Sequence, residues 1–228
     1  MAFLISCPPM FELTTIQRII IWILPVLFAI TLHEAAHAWV AYRLGDTTAK
    51  MAGRLSFNPL KHIDPVGTIL IPILVLILSQ FNFVFGWAKP VPINASLLRN
   101  PRRDMALATA AGPLANLLMA FLWAICLKSG VMLNPRTSNI ALFMLLTGQA
   151  GIIINLLFAY LNLIPIPPLD GGRIVASLLP IKQAIQYQKI EPYGIFIILA
   201  LIFSGALGWL IRPPVNWSLS GLRALFNL

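Results

Sequence analysis

The chain is most constrained by its long apolar runs. From Ile16 to Tyr42 it includes IIIWILPVLFAITLHEAAHAWVAY, and roughly 20 apolar residues suffice to cross a hydrocarbon core. Comparable runs lie over Asp104–Lys128, Ile140–Leu163 and Tyr193–Ile211. A bilayer core offers no water to unpaired backbone groups, so such runs must be helical. Charged residues are 10% of the chain, where a soluble domain carries about 25%. These features predict an all-α polytopic membrane protein with about five to six transmembrane or re-entrant helices. A small membrane-embedded extended or β region is expected between the first helix and the helix carrying GPLAN.

The net charge of +9 does not point to nucleic acid, because the basic residues form no run or stripe. They sit in short segments between apolar blocks, as topology determinants do. Placing residues 43–103 and 165–190 in the cytoplasm puts eleven basic residues inside, from Arg43 to Lys189, and leaves Arg18, Lys128, Arg136, Arg212 and Arg223 outside. That bias orients the chain with both termini outside. The first segment has no basic n-region or small-residue cleavage site and reads as a retained helix. Residues 68–92 leave and return to the cytoplasmic side, either by spanning or as a re-entrant segment. Backbone of that kind is tolerated only against protein or a water-filled cavity. Within it, Gly86 to Pro92 reads either as an edge for an added substrate strand or as a simple wall. The tail from Arg212, with Trp217 and Leu222, is expected at the interface. Cys7 and Cys126 make neither a CxxC nor a disulfide framework.

The chemistry centres on His33-Glu34-Ala35-Ala36-His37. Helical residues four apart share a face, so the two imidazoles can bind one metal ion. Glu34 lies beside that face, placed to take a proton from an activated water. Such residues inside a spanning helix are costly and are functional by default. A catalytic zinc needs a third protein ligand, and the chain has only seven acidic residues. Asp170, in LNLIPIPPLDGG, follows a long apolar helix and falls on the same side of the membrane as the histidines. It reads as that ligand or, alternatively, as a surface cap at a helix-terminal turn. Asn116 and Asn162 are candidates for contacting substrate or an oxyanion, or for linking helices. His62 reads as a substrate-side group or as a surface or turn-stabilising histidine.

These motifs together make a resemblance plain. HEAAH, GRLSFNPLKHIDPVGT, FGWAKPVPIN, RNPRRDM, AGPLAN and NLIPIPPLDGGR resemble the site-2 protease family of intramembrane zinc metalloproteases, in its compact prokaryotic form without PDZ or CBS domains. The resemblance implies one zinc ion bound by His33, His37 and Asp170, with Glu34 as catalytic base. It implies hydrolysis of peptide bonds in transmembrane protein or peptide substrates, near the cytoplasmic face of a prokaryotic inner or plasma membrane. A single membrane-embedded protease domain is expected over 1–228, with a catalytic core at 16–180 and an accessory helix and tail at 191–228. The lipid bilayer is its expected partner, and nucleic acid is not. A rival membrane peptidase using a glutamate as third ligand would have to recruit Glu12 or Glu191. A metal transporter should instead spread polar residues along several helices.

Overall fold

Helix α1 (Thr15–Arg43) starts at a capping box, in which Thr14 accepts from Gln17 N while its own N–H donates to Gln17 Oε1. The structure, a computed structural model, describes residues 13–62, 64–70 and 89–228. Cys7 and Glu12 lie outside those residues. So does most of 68–92, and with it the expected extended region and the choice between spanning and re-entry.

α1 has two faces. Ile16, Ile19, Ile20, Ile23, Leu27 and Phe28 are exposed at helical spacing, the face a bilayer would cover. The opposite face is a single i, i+4 ridge of Ile21, Pro25, Ala29, His33, His37 and Ala41, all buried. The two histidines thus occupy the same line as the small and apolar residues that seat the helix. Two residues past α1, Gly45 turns the chain with a φ of +114°, which suits glycine. Asp46 follows, fully buried, and accepts from Thr48 N at 2.9 Å and from Asn94 N at 2.6 Å. It ties the one-turn helix α2 (Thr48–Met51) to the irregular segment 89–94. A π-helical turn covers Pro65–Leu70.

Helix α3 (Pro101–Met132) and helix α4 (Asn139–Asn162) pack along most of their lengths. α3 carries its own i, i+4 ridge: Asp104, Ala108, Gly112, Asn116, Ala120 and Ala124, all buried. α4 meets it with Thr147, Gly151, Asn155 and Ala159. Small side chains on both ridges let the backbones approach closely, as membrane helices do where hydrophobicity cannot drive association. After α4, the chain turns through Pro165–Leu169 into α5 (Asp170–Leu178) and α6 (Ile181–Gln188). Arg102 donates to the carbonyls of Ser177, Leu178 and Leu179, closing the end of α5 onto the start of α3.

The run expected to span from Tyr193 to Ile211 is broken. Helix α7 (Gly194–Phe203) stops at Ser204, Gly205 adopts φ +76°, and helix α8 (Ala206–Phe226) follows. The stretches on either side of the break are bent by 80°. Ten residues of α7 rise only about 15 Å, half a hydrocarbon core. Among the described residues three helices are long and apolar enough to cross a membrane, or four if the bent pair counts as one span. The α8 face with Ile211 and Val215 joins the core formed by Ala120, Ala124, Ile152 and Leu156, while Trp217 stays exposed.

The α3–α4 ridge leaves no room for a methyl group. A Cβ on Gly148 would stand 2.7 Å from Leu127 N and 2.8 Å from its Cα, backbone atoms that cannot yield. Gly148→Ala is expected to destabilise the fold by about 1–3 kcal/mol, read as an earlier midpoint in denaturant-driven unfolding of the detergent-solubilised protein.

Candidate metal centre

α1, α3 and α5 meet at one point. From α1, His33 Nε2 and His37 Nε2 lie 3.1 Å apart, with the rings perpendicular. From the first residue of α5, Asp170 Oδ2 lies 3.1 Å from His33 Nε2 and 3.3 Å from His37 Nε2. All three residues are buried, and one ligand atom from each falls within 4.8 Å of the others.

The far side of each imidazole shows what that point requires. His37 Nδ1 is 2.8 Å from Ala108 O, a carbonyl that can only accept, so Nδ1 carries the proton and Nε2 a lone pair. His33 Nδ1 is 2.6 Å from Asn116 Oδ1. The Asn116 amide group donates at its other end to Ala29 O and to Asn155 Oδ1, which leaves its oxygen facing His33. His33 Nε2 is then a lone pair as well. Three acceptors therefore converge with no donor among them, and Asp170 Oδ2 is buried without a hydrogen-bond partner. Such a group is costly unless a cation sits between its members. Two imidazoles and a carboxylate fit zinc, with a fourth position open.

Local sequence builds the cradle. Gly112 on α3 faces the two rings, and a Cβ there would run into His37 Nε2 and stand 2.7 Å from His33 Cε1. Gly171 and Gly172 let α5 begin against the chain that leads into it, since side chains there would meet the carbonyls of Leu163 and Ile164 or the backbone at Ile166–Pro167. Glu34, half-buried beside the cluster, accepts from Val91 N at 3.0 Å. That donor is the single N–H of Pro90-Val91-Pro92.

The HEAAH residues and Asp170 therefore come together, and Asn116 joins them behind His33. Asn162 does not: its Nδ2 donates to Phe158 O one turn back. His62 is 1% exposed, with Nε2 2.9 Å from Ser56 O and its own carbonyl accepting from Lys89 N. It stabilises a turn, and from inside rather than from the surface. Glu191, the rival third ligand, lines a groove with Arg173 and Gln188 and is absent from the cluster. Asn155, the Ala108 carbonyl and the Val91 N–H escaped the sequence reading. Only Asn155 left a trace there, as an amide in an apolar helix.

The model for Peptidase family M50 matches residues 131–205. Over 213 residues, 90% of this chain and 90% of the relative, the chain is 35% identical to YwhC of Bacillus subtilis, named as a candidate zinc metalloprotease. The chain belongs to peptidase family M50. It is also 29% identical, over 84% of its length and 70% of the relative's, to Rip2 of Mycolicibacterium smegmatis, which carries the same designation. No solved structure matches it significantly. This is a zinc metallopeptidase of the site-2 protease family, with apolar helices suited to several membrane crossings.

Gly112→Ala tests the cradle. The added methyl group must push the imidazoles off their common point, so zinc retained after dialysis is expected to fall at least tenfold, the scale of a disturbed ligand orientation (~10–100-fold).

Proposed function

We propose that this metallopeptidase hydrolyses peptide bonds of transmembrane segments inside the bilayer, near its cytoplasmic face. His33, His37 and Asp170 hold one zinc ion, and Glu34 is the general base. The observation that carries this reading is the convergence of three unpaired acceptors beside a carboxylate. When bound, zinc supplies Lewis-acid polarisation of the scissile carbonyl and acidifies a water.

The chain's own residues do the rest. Glu34 is held through Oε2 by Val91 N, leaving Oε1 to accept a proton and later return it to the leaving amine. Ala108 O and Asn116 fix the two imidazoles in rotation and tautomer. A groove of about 600 Å³ runs between segment 90–95 and α5, with walls that include Val91, Ile93, Met105, Pro167, Gly172 and Arg173. One wall carries Val91, which holds the base, the other belongs to α5, which begins at Asp170, and the space between them has room for a stretch of extended peptide. A transmembrane substrate satisfies its amides internally, so it must unwind locally to enter such a space.

The charge distribution favours the cytoplasmic side, since both the α1 end carrying His37 and the turn before Asp170 adjoin the basic segments. A prokaryotic inner or plasma membrane fits this orientation. The whole of 1–228 then acts as one protease domain, its core over 16–180, with the broken α7–α8 pair as the accessory part.

Glu34→Gln should keep zinc while peptide cleavage in reconstituted bilayers drops about 10²–10⁴-fold, the usual contribution of a general base. Asp170→Ala should lose zinc and cleavage together. Normal turnover by the glutamine variant, or full zinc content without Asp170, would overturn the assignment.

A further inference from the structure

We infer that Asn155 is a positioning residue for the metal centre, acting through Asn116 to hold His33 with its Nε2 lone pair toward the metal. The inference rests on the zinc assignment proposed above. Asn155 touches none of the three ligands. It lies on α4, which contributes no ligand to the cluster.

The case is one of donor and acceptor direction. Asn155 Nδ2 donates to Gly151 O at 2.9 Å. A backbone carbonyl can only accept, so the Asn155 NH₂ must face it and Oδ1 must face Asn116. Asn116 Nδ2 donates to that oxygen at 3.0 Å and to Ala29 O at 3.1 Å. With both its hydrogens placed on acceptors, Asn116 has only Oδ1 left for His33, 2.6 Å from Nδ1. His33 must answer with Nδ1–H, which frees Nε2. Every link donates the same way, from His33 toward Gly151 O, and neither amide can flip without setting acceptor against acceptor.

Burial makes the direction binding. Both asparagine side chains are 0% exposed, so no water can stand in for a lost partner. Space is closed too, since a Cβ on Gly151 would enter the Trp123 ring. Without Asn155, Asn116 keeps Ala29 O as its only fixed acceptor, and one N–H is left buried and unpaired. The amide is then free to turn, and the imidazole to change tautomer or rotate.

Two substitutions separate positioning from packing. Asn155→Leu keeps the branching and heavy-atom count and removes the acceptor. Asn155→Asp keeps it: burial holds the acid protonated, so its carbonyl accepts from Asn116 while its hydroxyl donates to Gly151 O. In full-length protein in detergent, zinc affinity measured by chelator competition should weaken about 10–100-fold in Asn155→Leu, as for other outer-shell partners of a ligand. Asn155→Asp should stay within a few-fold of the wild type. In zinc-free protein labelled with ¹⁵N-histidine, His33 should hold the Nδ1–H tautomer in the wild type and in Asn155→Asp, and lose it in Asn155→Leu. Should the leucine variant not fold, Asn155→Val, smaller and equally without an acceptor, takes its place. Wild-type zinc affinity in the acceptor-less variant, or equal weakening in both variants, would overturn the inference alone. Zinc binding that survives His33→Ala would overturn the zinc assignment, and the inference with it.

Discussion

Three lone pairs that meet in a dry place must share something positive. In this chain they belong to His33, His37 and Asp170, and the rest of the fold serves to bring them together. The low dielectric around them strengthens any attraction to a cation and equally punishes its absence. A zinc ion held there, as proposed, would be part of the electrostatic balance of the interior. It would offset a convergence of acceptors that is otherwise costly.

Bringing them together is a matter of small side chains. α1 places its histidines in the same i, i+4 line as Pro25, Ala29 and Ala41. α3 answers with Ala108, Gly112 and Asn116 in a line of its own. A Gly opposite the imidazoles, an Ala lending its carbonyl and an Asn lending its oxygen are successive members of that α3 ridge. Ligand support and helix packing are thus the same surface, read at different depths. The usual division between a structural glycine and a functional one fails at Gly112, which is both.

Much of this could be read from residue order. H-E-x-x-H in a spanning run brings two imidazoles to one face and a carboxylate beside it, because helical periodicity alone does so. Asp170 could be reached by counting acids and crossings, since its neighbours are prolines and glycines. Other parts resisted for physical reasons. Asn155 is one amide among apolar residues, and its partner is decided by how α3 and α4 rotate against each other. Asn162 looks equivalent in sequence, yet its amide folds back on Phe158. The Val91 contribution is a backbone N–H, which no residue type announces. Asp46 and Asp104 sit in basic stretches, yet both are buried and hold loop amides. The break at Gly205 was hidden inside an apolar run, where hydropathy outweighs a single turn-former.

One bond joins the chemistry to the wall beside it. Among Pro90, Val91 and Pro92 only the middle residue has a hydrogen to give, and it goes to Glu34. The same segment lines the groove whose other wall is α5. The Glu34 carboxylate is therefore aimed by the backbone of that wall. If Glu34 is the base proposed above, its aim and the seating of this wall are one and the same contact.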